Sequence, residues 1–142
     1  MTERRIVVGV DGSESSKSAL AWAIRQARLT GSVVEAVIAW DYPATYGYAF
    51  PAVDDVDFEK IATQAIAEAI ADVAEAHEPV MITTTVVRDN PARALLNAST
   101  EASLLVVGSR GHGGFVEALL GSVGQHCVQH ASCPVVVVRA GG

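Results

Sequence analysis

Several things are scarce in this sequence, and each scarcity narrows what the chain is. It has two cysteines in 142 residues, Cys127 and Cys133. Two are too few for the disulfide framework that stabilises small secreted domains. No apolar run approaches the roughly 18 residues that a membrane-crossing helix needs. The opening stretch MTERRIVVGVDGS holds an apolar segment too short for a signal-peptide core, and it ends at Asp11 without a small-residue cleavage pattern. The expectation is a cytoplasmic protein with reduced thiols and no membrane partner. Positive charge is scarce as well. Ten Lys and Arg stand against sixteen Asp and Glu, a net charge of −6. That balance opposes binding to a nucleic-acid backbone. Only two of the cations are lysines, Lys17 and Lys60, and neither lies in a glycine loop. The Gly-Lys-Ser/Thr of a Walker P-loop is therefore missing. The first apolar run ends GVDGSESS, without the G-x-G-x-x-G of a dinucleotide-binding turn. A response-regulator receiver would want a second acid beside Asp11 and a Lys near the last strand, where this chain has Arg139. No repeat, low-complexity tract or linker breaks the chain, so residues 1–142 read as one domain.

What is present is a regular alternation of strand and helix patterns. Short β-branched runs at Arg5–Val10, Val33–Trp40, Met81–Arg88, Leu104–Gly108 and Pro134–Arg139 predict five strands. The threonines of the third suggest a half-exposed edge position. A helix is expected from Glu14 to Leu29, with Leu20, Ala23, Ile24 and Ala27 as its buried face and Gly31 as its left-handed cap. A second, from Val56 to His77, carries the stripe Phe58, Ile61, Ala62, Ala65, Ile66, Ala69, Ile70 and Val73. A third begins with Asn90 as cap and Pro91 at the first helical position, anchored by Leu95 and Leu96. A fourth runs from Ser122 to His130. Such alternation predicts an α/β fold: an open, mostly parallel sheet with helices on both faces. Ligands in such sheets sit at the carboxyl ends of the strands, at the switch point. Here the unusual loops follow the first and fourth strands.

Two glycine clusters carry the chemistry. Gly108-Ser109-Arg110-Gly111 is followed, nine residues later, by Gly121-Ser122. Glycine lets a backbone approach a ligand closely, and a helix beginning just after Gly121 offers unpaired N–H groups to an anion. The segment either wraps a phosphate chain with main-chain donors or is a flexible loop ending in a Ser helix cap.

The spacing G-x2-G-x9-G-S, within LLVVGSRGHGGFVEALLGSVGQHCVQHASCPVVVVR, resembles the universal stress protein family, in its ATP-binding branch. The resemblance covers essentially the whole chain, including the opening Asp-Gly-Ser, Asn90-Pro91-Ala92 and the closing Cys-Pro-Val-Val-Val-Val. It implies a Rossmann-like five-stranded sheet in the order 3-2-1-4-5, a homodimer, and ATP carried with Mg²⁺ in a regulatory, stress-response role. It also implies a site. Gly9, Val10 and Asp11 match the segment that meets adenine and ribose, with Asp11 accepting from a ribose hydroxyl. Ala39 matches the position whose backbone faces the adenine edge. Val107, Gly108, Arg110 and Gly111 match the loop beside ribose and phosphates, and Gly121, Ser122 and Val123 match the turn that holds the phosphates. One position departs: Gly124 stands where ATP-binding members often carry Ser or Thr, so one hydroxyl donor is missing. A single neutral hydrogen bond is worth about 0.5–1.5 kcal/mol, which weakens binding without abolishing it. The alternative reading is a family member that binds no nucleotide and acts through protein partners.

Other groupings carry less. His126-Cys127-x2-His130-x2-Cys133 invites zinc, but Cys127 is rotated off the histidine face and Cys133 precedes a buried strand, so core cysteines are expected. The acids Asp54, Asp55, Asp57 and Glu59 suit the start of a helix. Arg110 and His112 either lie along phosphates or are solvated. Tyr42, Tyr46, Tyr48 and Phe50 form either a lid over the adenine or a partner surface. No nucleophile–base–acid set stands out, and Ser109 lacks the G-x-S-x-G elbow. Any ATP hydrolysis would come slowly, from a phosphate-bound metal and water. In the order 3-2-1-4-5 the strand Val135–Val138 is an uncharged edge, an aggregation hazard that pairing with a second copy removes.

Overall fold

The computed structural model describes residues 4–42, 57–74, 80–109 and 121–139. Five short runs of β-branched and small apolar residues form the strands: β1 (Arg5–Gly9), β2 (Val33–Trp40), β3 (Ile82–Arg88), β4 (Leu104–Gly108) and β5 (Val135–Val138). They make one parallel sheet in the order β3-β2-β1-β4-β5, as expected. The helices are α1 (Glu14–Thr30), α2 (Phe58–Ala74), α3 (Pro91–Ala98) and α4 (Ser122–His130).

The alternation of side chains along each strand builds two cores. Ile6, Val8, Val34, Ala36, Ile38, Val106 and Val138 point to one face and pack under α1 and α2. Val7, Val37, Leu105 and Val107 point to the other and pack under Ala94 and Leu95 of α3 and Cys127 of α4. The central strands β1 and β4 are thus buried on both sides, which is why their sequences run apolar without alternation.

Local chemistry fixes the element ends. Ser13 caps α1, its hydroxyl accepting from the N–H of Ser16, and Gly31 ends the helix at φ 70°. Asn90 caps α3 by accepting from Ala92 and Arg93, with Pro91 at the first helical position. The edge strand β3 leaves Thr83 and Thr84 exposed, as its threonines suggested. Glu35, on β2, is tied on both sides: it accepts from Arg5 at 2.8 Å and from Thr85 at 2.9 Å. The same Arg5 donates to the carbonyls of Ala98 and Thr100 at the end of α3.

Several expectations need correction. Val10 leaves the β1 ladder, although its N–H still donates to Val37 at 2.8 Å. Ile61 is 55% exposed, because only Ala62, Ile66, Ala69 and Val73 of α2 turn fully inward. Met81 precedes β3 and exposes its side chain, while its carbonyl accepts from Val34. Pro134 and Arg139 flank β5 outside it. The cap of α4 is Gly121 and not Ser122, since Gly121 takes the extended conformation that a cap requires. Val56 and residues 75–77, expected in α2, lie outside the described residues, as do Asp54 and Asp55. Asp57 accepts from the N–H of Lys60 at 3.0 Å, the helix-start role expected for this acidic run.

Candidate functional site

The topological switch point of the sheet lies at the carboxyl ends of β1 and β4. These strands are neighbours, with Val8 opposite Val106. The chain leaving β1 turns into α1 on one face, while the chain leaving β4 returns as α4 on the other. Divergence of adjacent connections to opposite faces is what opens a binding crevice in a doubly wound sheet. Gly9, Val10 and Asp11 lie on one side of this point, Val107 and Gly108 on the other. Ala39, near the end of β2, borders it one strand away.

The β1–α1 turn is held tightly. The Asp11 carboxylate accepts from the N–H of Ser13 at 2.9 Å. The N–H of Asp11 donates to the Ser16 hydroxyl at 3.2 Å, and that hydroxyl donates to the carbonyl of Ser13 at 3.0 Å. Gly12, at φ 84°, supplies the left-handed step between Asp11 and the cap.

On the β4 side, Ser109 is gripped from three directions. Its N–H donates to Val138 of β5 at 2.8 Å. Its carbonyl accepts from the N–H of Gly121 at 2.7 Å. Its buried hydroxyl lies 3.5 Å from that of Ser15 in the first turn of α1. The two glycine clusters of the sequence motif are therefore in direct contact, with the start of α4 fastened to the end of β4. Gly121 adds no side-chain hydrogen bond to the helix start, and Ser122 is exposed. The first N–H groups of any α-helix lack intrahelical partners, so this end carries donors and a partial positive charge. Val123 is half-buried beside it and Gly124 is buried. Arg110, Gly111 and His112 lie outside the described residues.

Two of the glycines serve packing. A Cβ on Gly108 would meet the main-chain carbon and carbonyl oxygen of Ser15 at 2.7 and 2.8 Å. A Cβ on Gly9 would meet Leu95 Cδ1 of α3 at 2.8 Å. The glycine at 108 thus lets α1 settle onto β4.

An aromatic cluster closes the β2 end. Trp40 and Tyr42 meet edge to face at 5.7 Å, Tyr42 meets Phe58 the same way at 5.5 Å, and the Arg88 guanidinium lies over both Trp40 and Tyr42. Trp40 Nε1 is buried and finds no acceptor among the described residues. Two ion pairs flank this cluster. The N–H of Tyr42 and then the Arg88 guanidinium hold Asp41 below the usual carboxylate range. Arg93 does the same for Asp89. Tyr46, Tyr48 and Phe50 lie outside the described residues.

The histidine–cysteine grouping separates in space. His126 and His130 lie with ring centroids 4.5 Å apart, tilted at 46°, on the exposed face of α4, whereas Cys127 points into the core. Burial pushes the Cys127 thiol up to about 11 and raises that of Cys133. Among the described residues no three His, Cys, Asp or Glu gather as a metal site. An open cleft of about 490 Å³ between α3 and α4 is lined by Asn90, Arg93, Leu96, Asn97 and His126, none of them expected site residues.

The sequence profile of the Universal stress protein family matches residues 3–139. The chain belongs to that family. It is 42% identical over 134 residues to the universal stress protein Rv2623 of Mycobacterium tuberculosis, covering 94% of this chain and 44% of that protein. The chain thus spans about half the length of the curated relatives it matches. Among solved structures, the universal stress protein UspA of Lactobacillus plantarum superposes with a TM-score of 0.76 at 21% identity, covering 98% of this chain and 99% of that one. A universal stress protein crystallised in complex with cAMP superposes with a TM-score of 0.71 at 27% identity, covering 99% of both chains. No helix among the described residues is long and apolar enough to cross a membrane.

What sequence reasoning missed are the buried serines Ser15, Ser16 and Ser109. Their signal was faint: three serines follow Asp11 within five residues, where one suffices as a cap.

Proposed function

We propose that this universal stress protein domain binds ATP, carried with Mg²⁺, at the crevice between β1 and β4, and acts as a regulatory sensor of adenine nucleotide in the cytoplasm. The observation that supports this most is the start of α4, where the cap Gly121 brings no side chain and is fastened to Ser109, across the switch point from Asp11. Main-chain donors at Ser122 and Val123 suit phosphate oxygens, which accept without needing a fixed side-chain cation, while Gly121, its own N–H taken by Ser109, holds the turn that presents them. Asp11 suits a ribose hydroxyl, and the backbone at Gly9, Val10 and Ala39 suits the adenine. Val107, Gly108, Arg110 and Gly111 complete the reading on the phosphate side. The structural neighbour crystallised in complex with cAMP supports an adenine nucleotide as the ligand. Mg²⁺ rides on the phosphates in this reading and offsets charge that the acidic chain does not. No nucleophile–base–acid set stands out in the sequence, so in this reading any turnover of bound ATP comes slowly, from a phosphate-bound metal and water.

The same reading includes a homodimer. β5 is a sheet edge without charge from Val135 to Val138, and Val137 is 37% exposed on it. Pairing this edge with a second copy satisfies its open main-chain groups.

Gly124 favours a second reading, in which the domain binds no nucleotide and works through protein partners. Titration of Mg-ATP into protein freed of nucleotide separates the two. Micromolar binding supports the sensor, and a folded protein that gives no binding heat supports the second reading.

A further inference from the structure

The hydroxyl of Ser16 uses both of its hydrogen-bonding functions within the β1–α1 turn. It accepts from the N–H of Asp11 at 3.2 Å and donates to the carbonyl of Ser13 at 3.0 Å. Its own N–H is taken by the Ser13 hydroxyl at 3.1 Å. Ser16 is 4% exposed, so it touches no ligand in the crevice. A serine at the third helical position normally adds little to a helix already capped by Ser13. Here it reaches back past the cap to the residue proposed to meet the ribose.

We infer that Ser16 is a positioning residue: it fixes the main chain of Asp11, and through it the direction of the carboxylate, so that the site distinguishes ribose from deoxyribose. This rests on the nucleotide-binding reading above. The carboxylate accepts from the N–H of Ser13, and the bond from the Asp11 N–H to Ser16 fixes the main chain from which that carboxylate projects. A charged acceptor meeting a hydroxyl at fixed geometry gives stronger discrimination than the same acceptor on a loose turn.

The test is a calorimetric titration of ATP, 2′-deoxy-ATP and 3′-deoxy-ATP into the full chain and three variants. A hydrogen bond to a charged group predicts that the unaltered protein prefers ATP to one deoxy analogue by about tenfold or more. Ser16→Ala is expected to reduce that preference to about threefold or less, chiefly by weakening ATP itself. Ser16→Thr, which keeps the hydroxyl, retains the preference. Ser13→Ala removes the helix cap and lowers the melting temperature, yet leaves the preference intact, because the bond from Asp11 to Ser16 survives. Full discrimination in Ser16→Ala overturns the inference alone. ATP binding without discrimination in the unaltered protein overturns the ribose role of Asp11 and this inference with it. No binding of any of the three nucleotides overturns the nucleotide reading as well.

Discussion

The main-chain N–H of Gly121 donates to the carbonyl oxygen of Ser109 at 2.7 Å. This one bond joins residues twelve positions apart and makes a single structural unit of the end of β4 and the start of α4. The contact of Ser109 with Ser15 extends the unit to α1, whose first turn also holds Asp11. Both loops of the proposed site are thus anchored to one short stretch of helix.

Gly108 is predicted to be the least replaceable of the glycines at the strand ends. An added Cβ meets the main chain of Ser15, which moves only if α1 moves. Gly108→Ala is expected to cost about 2–3 kcal/mol by overpacking. Gly9→Ala meets only the tip of Leu95, which turns aside, and is expected to cost about 1 kcal/mol. Urea denaturation of both variants checks the order, and a larger loss for Gly9→Ala contradicts the packing account.

Arg5 is predicted to matter through its fork of donors. It serves Glu35, Ala98 and Thr100 together, linking β1, β2 and the end of α3. Arg5→Met leaves Glu35 half-buried with the Thr85 hydroxyl still donating to it, and is expected to cost about 2 kcal/mol. Arg5→Lys recovers only part of this, because an ammonium is a point donor and does not span three acceptors. Equal stability of Arg5→Lys and the unaltered chain counts against the account.

The thiols are predicted to differ in reactivity. Cys127 is fully buried and its thiol is raised to about 11, so it stays protonated near neutral pH. Iodoacetamide at pH 8 should modify half-buried Cys133 first and Cys127 only as the protein opens. The sign for stability follows. The folded state keeps the Cys127 proton to higher pH than the unfolded state, whose thiol titrates near its ordinary value of 9.0. This contribution is complete below that value and is lost as pH rises from there through about 11. Alkylation of both thiols at one rate in the folded protein would show that α4 does not shield Cys127.

The dimer proposal makes a prediction at the sheet edge. Sedimentation at low micromolar concentration should show twice the chain mass of 14.8 kDa. Val137→Lys places a charge on the exposed side of β5 and should yield a folded monomer. A single species at the chain mass in the unaltered protein contradicts the proposal.

The fold was legible because its strands are short β-branched runs and its helices carry marked ends. Val33–Trp40, Leu104–Gly108 and Ser122–His130 appear with the bounds the sequence predicts, and Gly31 caps α1 as expected. Ile61 misled because apolar periodicity marks a stripe wider than the surface that α2 presents to β2 and β3. The packing role of Gly108 was illegible for another reason: sequence shows that a side chain is absent there, not which neighbour requires it, and here the neighbour is Ser15. The serines at 15, 16 and 109 were illegible because their partners lie on other elements or earlier in the turn, which only the assembled fold brings together. Asp11, by contrast, stands where its position after β1 placed it.

The most direct test of nucleotide binding at α4 is titration of Mg-ATP into the nucleotide-free protein and into Gly121→Asp. Gly121 sits at φ −68° and ψ 165°, a conformation that aspartate adopts readily as a helix cap. The substitution should therefore preserve or slightly raise stability while filling the donor end of α4 with a carboxylate that excludes phosphate. The account predicts one micromolar site per chain in the unaltered protein and its loss in Gly121→Asp, with melting temperature maintained. Unchanged affinity in a folded Gly121→Asp, or no binding to the unaltered protein, would contradict it.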